Sequence, residues 1–311
     1  MYNFIVMASQ TIEFKLKQIA RIFDIEKVAK LNIDKDYIQK YYKVNSVPYS
    51  IFHTKDNFMY MGISRDGIYK KEDLKAHTMF IDSYIKKCNA KNVLEIASGR
   101  SASTNFLAQI NPNVNFYGVE LSDGQYKHAK KRSRFIANVS VQKGDYHDLS
   151  MFKDSMFDTV YVIEALCYST NKEQVFREVH RVLNKNGLFI IFDGYRNSKT
   201  LSSDEKIACN LTEKSMALQE FESYQSTIDK SLACGFIIDY EEDLSKYVLP
   251  TMKRFEKLSK AFFYFPPLSK LLAYLLPKEF VLNSIAGYLM PNLIESGIAK
   301  YMITVLKPSS Q

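Results

Sequence analysis

LEIASGRSAS, residues 94–103, runs from an apolar strand through an acid into a string of small residues that opens a helix. Backbone N–H groups at a helix N-terminus lack internal partners and can meet an anionic ligand. Ala97, Ser98, Gly99 and Ser101 leave room for such an approach. Turns of this kind usually carry two or three glycines, and here Gly99 alone remains. Ala or Ser in a left-handed conformation costs about 1 kcal/mol more than Gly, so that geometry is expected at Gly99 only. By itself the loop reads as a nucleotide turn or as a tight strand–helix connection.

Outward from this loop the chain alternates. VNFYGVEL (114–121), VSVQKGD (139–145), MFDTVYVIEAL (156–166) and LFIIFDGY (188–195) read as strands, separated by the helical stretches 101–110, 123–136 and 171–183 and by an NKNG turn at 184–187. GFIIDYEEDL (235–244) and the alternating IAKYMITVLKP (298–308) add two strands. The spacing predicts an α/β fold with a mostly parallel sheet and helices on both faces. Ligands of such sheets bind at the carboxyl ends of the strands, where Gly99, Glu120, Asp145 and Glu164 fall. Upstream, a helical period covers 11–31. A short helix is expected at 36–42, closed by a loop before Pro48, and another helix at 74–88.

The 311 residues include 46% hydrophobic and 24% charged side chains, enough apolar material for a large core, with a net charge of +8. Lysines are scattered, and the densest basic run, KKRSR (130–134), reads as the solvent face of a helix. That pattern argues against nucleic acid as a partner. The four cysteines show neither CxxC nor a metal-ligand rhythm, so reduced thiols, a cytoplasmic setting and no metal site are expected. MYNFIVMASQ lacks the basic flank and apolar length of a secretory signal, and Met7 offers an alternative start. FVLNSIAGYLMPNLI (280–294) falls short of a membrane span.

Two nucleotide readings compete at the loop. Ala97, Gly99 and Ala102 form a degraded GxGxxG with Glu120 about 20 residues on, as a dinucleotide site would. The downstream text favours another reading. Over roughly 77–245 the sequence resembles the class I S-adenosylmethionine-dependent methyltransferases, through the spacing of Glu95, Ala97, Gly99 and Ser101, through FYGVELS and KGDYHDL, and through FDTVYVIEALCYS and REVHRVLNKNGLFIIFD. It departs from them at Ala97 and Ser101, which stand where glycines are usual. The resemblance implies a Rossmann-like sheet with an antiparallel last strand and S-adenosyl-L-methionine as cofactor. It implies that Glu120 holds the ribose and that Asp145 and Tyr146 hold the adenine. The methionine end falls to Glu95 and the Ala97–Ser98–Gly99–Ser101 backbone, and Leu121 and Ile163 complete the implied set.

Within that family, VYVIEALCYS and GVELSDGQYKHAKKR look like the sterol and isoprenoid C-methyltransferase branch. The acceptor implied is small and lipophilic: an isoprenoid, a sterol-like molecule, a quinone or another lipid. A soluble amine or phenol, or a non-catalytic protein that kept the fold, are the alternatives. Glu164 is the candidate catalytic acid, and it can equally contact the cofactor or cap the following helix. Tyr168 and His147 can accept a proton or orient the acceptor, with His147 otherwise a loop histidine on solvent. His53, in a tyrosine-rich stretch, belongs to a candidate N-terminal lid. The chain divides into N-terminal helices and lid (1–75), a cofactor-binding core (76–245 and 297–311) and an inserted apolar segment (246–296). This last segment, with Lys253, Arg254, Lys257, Lys260 and Lys270 interspersed, is expected to cap the acceptor pocket and to touch a membrane surface through 250–296, or else to be an ordinary helical subdomain.

Overall fold

The computed structural model describes residues 10–52, 54 and 56–309. Its frame is a seven-stranded sheet of β1 (Asn92–Ile96), β2 (Asn115–Glu120), β3 (Val139–Lys143), β4 (Phe157–Ile163), β5 (Leu183–Arg196), β6 (Phe236–Asp243) and β7 (Ala299–Pro308). The strand order is β3-β2-β1-β4-β5-β7-β6, with β7 antiparallel to both neighbours. The chain winds outward from β1 to β3, then returns to place β4 on the other side of β1. That reversal is the switch point where a ligand crevice opens.

Helices α1 (Ile12–Ala20), α2 (Ile25–Ala29), α3 (Lys35–Phe52) and α4 (Ala76–Lys87) precede the sheet. Helices α5 (Ala102–Ile110), α6 (Asp123–Ser133) and α7 (Lys172–Val182) link its strands, and α8 (Ser203–Ser215) and α9 (Tyr224–Ala233) join β5 to β6. Four more, α10 (Ser245–Tyr264), α11 (Pro266–Leu275), α12 (Lys278–Val281) and α13 (Asn283–Glu295), join β6 to β7. Alternate residues of the strands feed opposite cores. Val93, Phe116, Tyr161 and Ile303 pack with Ile81, Ile85 and Leu107, while Leu94, Val119, Val160 and Phe189 pack with Val175, Phe176 and Val179. Burial on both faces is why these strands read as unbroken apolar runs.

Three expectations meet corrections. The NKNG segment is not a separate turn but a bulge inside β5: Phe157 pairs with Leu183 while Thr159 pairs with Leu188. A Cβ at Gly187 would lie 3.1 Å from the backbone oxygens of both Asn184 and Phe157, a tight fit that favours glycine in the bulge. Helix α3 does not stop before Pro48 but continues to Phe52, against the usual preference of a pre-proline residue for extended backbone.

The third correction concerns 246–296. Helices α10 and α13 form a layer with α1 and α8, around Leu16, Ile19, Leu211, Phe263, Ile285 and Leu289. At its centre lies Lys15, fully buried, its Nζ donating to Glu256 Oε1 (2.6 Å), to the carbonyl of Tyr288 (2.6 Å) and to Asn292 Oδ1. Helix α12 in turn braces α3 through the ion pair Lys40–Glu279 (2.7 Å), and α13 adds the Tyr41–Asn283 hydrogen bond (2.7 Å).

Candidate active site

A cavity of about 1130 Å³ opens at the carboxyl ends of β1, β2 and β4. Single-ligand pockets run from about 300 to 1,000 Å³, so it has room for two ligands side by side. Among the described residues its lining includes none from 246–296. The expected cap therefore stands elsewhere. The walls opposite the strand ends come from the start of α3 (Lys35, Ile38, Tyr42), from Asn57–Tyr60 and from the link between α8 and α9 (Ala217–Ser223). An apolar pattern shows that a segment is buried on one side, not which neighbour buries it.

The quoted loop adopts more left-handed backbone than its glycine count suggests. Ala97 (φ 54°), Gly99 (φ 54°) and Ser101 (φ 56°) all lie in that region. The expectation that Gly99 alone would do so is corrected. The alternation folds the loop back under β2, where Ser98 N–H donates to the Val119 carbonyl (2.9 Å) and Ser101 N–H to the Ser98 carbonyl (2.7 Å). Gly118 is required here, because a Cβ would meet Ser98 Oγ at 2.8 Å. Ser101 does not line the cavity; its buried hydroxyl faces Gly118 and lacks a hydrogen-bond partner among the described residues. Replacing Ser101 by Gly removes both the left-handed strain and the orphaned hydroxyl, and should raise stability by about 1 kcal/mol. Urea unfolding reads this directly, and an unchanged or lower midpoint would count against the account of the loop.

Carboxylates stand at three successive strand ends. Glu120 spreads its two oxygens between Gly99 N–H (2.9 Å) and Ser122 N–H (2.7 Å), and burial raises its pKa. Each oxygen keeps a lone pair for a further donor. Glu95, pushed up to about 7 by burial, accepts from Thr104 N–H (3.1 Å), the Thr104 hydroxyl and the Tyr161 hydroxyl (3.1 Å). It thus pins the first turn of α5 while lining the cavity.

Asp145 is held far below the usual carboxylate range, chiefly by the His147 ring. Its Oδ1 accepts from the His147 backbone (3.0 Å) and lies 2.6 Å from His147 Nδ1; Oδ2 lies 3.3 Å from Lys35 Nζ. His147 Nε2 sits 2.8 Å from Ser169 Oγ. With both nitrogens engaged it is a bracket between two strand ends, not a histidine facing solvent. Tyr146 turns its hydroxyl to the Ala165 carbonyl (3.2 Å) and its ring toward His147 (centroids 4.7 Å). Leu121 and Ile163 line the same wall.

Glu164 follows β4 with φ 50°, a strained value for a non-glycine residue. Its N–H donates to the Phe192 carbonyl (2.8 Å), while its Oε1 accepts from Met61 N–H (2.7 Å) and the Tyr301 hydroxyl (2.9 Å). Burial pushes this carboxyl up to about 8. Tyr301 also lies 2.9 Å from Nε2 of His77, a fully buried ring that burial lowers to about 3. The backbone position rules out Glu164 as a helix cap: its carboxylate reaches into the cavity and across to β7. Tyr168 also lines the cavity, but its hydroxyl donates to the Met216 carbonyl (3.0 Å), and burial raises its pKa well above 10. It carries a ring to the wall, not a base. His53 lies outside the described residues.

Sequence reading missed Arg100, Tyr301 and the far wall. Arg100 sits inside the quoted loop and is bound to Gln125 Oε1 (3.0 Å) and Asn57 Oδ1 (2.6 Å); its bulk set it apart from the small residues that drew attention. Nothing local marks Tyr301, because only the strand order brings β7 beside β5.

The donor set suits a nucleoside carrying an amino-acid tail. Glu120 has lone pairs free for vicinal hydroxyls, and Glu95 offers an anionic wall for an ammonium. Among the described residues no group of three or more His, Cys, Asp or Glu could hold a metal ion, and no helix is long and apolar enough to cross a membrane.

The family model described as a methyltransferase domain matches residues 87–250. Sterol 24-C-methyltransferase of Kluyveromyces lactis is 27% identical over 159 residues, 49% of this chain and 42% of that protein, so the chain spans under half the length of this relative. Among solved structures, a cyclopropane synthase from Mycobacterium tuberculosis superposes with a TM-score of 0.70 at 15% identity, covering 87% of this chain and 96% of that one. A geranyl diphosphate methyltransferase solved with SAM gives 0.59 at 14% identity, covering 80% and 98%.

Proposed function

The chain belongs to the methyltransferase-domain family, in the S-adenosylmethionine-dependent class, and from that premise we propose that it methylates a small lipophilic acceptor, with carbon as the methylated atom. The observation that carries the reading is Glu164, a buried carboxylate fixed by Met61 and Tyr301 at the point where the cofactor half of the cavity meets the acceptor half. The similarity to a sterol 24-C-methyltransferase supports an isoprenoid, sterol-like, quinone or other lipid acceptor.

Bound S-adenosylmethionine supplies a methyl group already activated on a sulfonium. The protein's part is then alignment and exclusion of water. Glu120 takes the ribose hydroxyls, Asp145 and Tyr146 the adenine, with Leu121 and Ile163 against it. Glu95 and the backbone of Ala97, Ser98 and Gly99 take the amino-acid end. Ser101 shapes the loop without touching the ligand. Opposite, Ile38, Tyr42, Tyr168, Leu218 and Phe221 present an apolar wall to the acceptor. Methylation of an alkene leaves positive charge on carbon and a proton to lose; the Glu164 carboxylate stabilises the first and accepts the second. His147 holds Asp145 in place. The setting is the cytoplasm, against a membrane surface.

A thermal melt with S-adenosylmethionine, S-adenosylhomocysteine and NADH, each alone, tests the premise. At about 100 times the dissociation constant a ligand adds roughly 2.7 kcal/mol, a rise of several degrees. The two sulfur nucleosides are expected to give it and NADH not. A panel of isoprenoid, sterol, quinone, amine and phenol acceptors, read by mass spectrometry, then tests the substrate class. Turnover of amines or phenols alone would overturn the lipophilic assignment.

A further inference from the structure

We propose that the outer face of α11, with the end of α10, rests on the surface of an anionic lipid bilayer. The inference sharpens the membrane contact proposed above and rests on that reading, but it draws on a different part of the molecule from the cavity. Most of 246–296 is spoken for: Ile285, Tyr288 and Leu289 of α13 and Phe263 of α10 are buried in the layer shared with α1 and α8. Helix α11 is the exception. Its one buried residue is Ser269, whose hydroxyl donates back to the Phe265 carbonyl at the α10 junction.

The residues that α11 turns outward are its apolar ones. Tyr264 (88% exposed), Phe265, Leu268, Leu271, Tyr274 (86%) and Leu275 (64%) all stand in the open. At 100° per residue, Leu268, Leu271 and Leu275 form one stripe, with Tyr274 and then Lys270 along its edge. A helix that buries its small polar residue and exposes its leucines has the inverse of the pattern that packing against its own chain requires. Tyrosines beside such a stripe suit the boundary between headgroups and acyl chains.

Charge decides what the stripe meets. From 257 to 278 the sequence holds Lys257, Lys260, Lys270 and Lys278 and no acid. Lys260 turns inward to Glu256 (3.2 Å), whereas Lys257, Lys270 and Lys278 are exposed. Lysines flanking an apolar stripe can sink their stems and keep their charge among anionic headgroups. A second copy of the chain would bring the same lysines against each other. The surface is linked to the cavity wall through the chain: α11 leads into α12, which braces α3, and α3 supplies Ile38 and Tyr42 to the wall.

Co-sedimentation of the full chain with vesicles of phosphatidylcholine, with and without phosphatidylglycerol, tests this. Binding is expected to the mixed vesicles, weakening as salt rises and weaker still on phosphatidylcholine alone. Leu271→Asp with Leu275→Asp should lower it by about tenfold or more, and Lys270→Gln with Lys278→Gln should remove only the phosphatidylglycerol increment. Retention of the wild-type thermal shift with S-adenosylmethionine shows that both variants are folded. Wild-type chain that stays in the supernatant, or an aspartate variant that sediments as before, would overturn the proposal. So would light scattering that finds a wild-type dimer split by the aspartates. Vesicle binding without any response to S-adenosylmethionine would instead sink the functional reading and leave this one standing.

Discussion

Replacing Glu164 by Gln will lower methyl transfer by about two to four orders of magnitude while leaving the thermal response to S-adenosylmethionine in place. Gln keeps the shape and one acceptor oxygen, so Met61 N–H and the Tyr301 hydroxyl retain a partner. What it removes is the charge and the capacity to take a proton. The sign of the pH effect follows from burial, which pushes this carboxyl up to about 8. The active, ionised form grows as pH rises through that value, so kcat/KM should climb between pH 7 and 9 in the parent chain and stay flat in the variant. Stability runs the opposite way. The unfolded chain gives up this proton near the ordinary carboxylate range while the folded chain keeps it to about 8, so stability falls as pH rises between the two. Glu164→Gln should flatten that decline. A variant that turns over at the parent rate, with the same pH limb, would remove Glu164 from the chemistry.

The second large effect is expected far from the cavity. Lys15→Ala should destabilise the protein by about 3 to 5 kcal/mol, since it strands a buried carboxylate and empties the space its partner filled. Glu256 is almost wholly buried and pairs with Lys15 at 2.6 Å. Lys260 (3.2 Å) and Lys253 (3.7 Å) also approach Glu256, which sets the expectation toward the lower end of that range. The double replacement Lys15→Met with Glu256→Leu should recover much of the loss, because a packed apolar pair can replace a buried ion pair. Chemical unfolding of the three chains gives the answer, and a Lys15→Ala midpoint equal to that of the parent would refute the assignment.

The sequence made the sheet legible because its strands are buried on both faces and leave unbroken apolar runs such as VYVIEAL. The cofactor side was legible for a related reason. Glu95, Gly99, Glu120, Asp145 and Glu164 stand at or just beyond the carboxyl ends of strands, and strand order places such ends together. The acceptor side was not. Ile38 comes from α3, and Leu218 and Phe221 from the link between α8 and α9, two segments whose apolar residues have no local mark distinguishing a cavity wall from a core. The tilt of backbone at Ala97 and Ser101 was hidden because propensity argues against it, and the loop's hydrogen bonds beneath β2 override propensity. Lys15 reads in the sequence as one more basic residue on an amphipathic helix; only the fold brings Glu256, some 240 residues later, to meet it.

The placement of β7 between β5 and β6 also bears on how the chain is made. Among the described residues strand β6 forms no pairs with β5 and has β7 as its one sheet neighbour. As the polypeptide leaves the ribosome, the five mutually paired parallel strands β1 to β5 can form while the antiparallel member that joins β6 to them is still missing. Residues 236–243 must wait, with both edges unsatisfied, until the helices from Ser245 to Glu295 and then residues 299–308 have emerged. Such non-local closure is slow and exposes strand edges to other nascent chains. Synthesis from a message that pauses within 245–295 should therefore leave a species prone to aggregation, and one that releases the chain through Pro308 without delay should not.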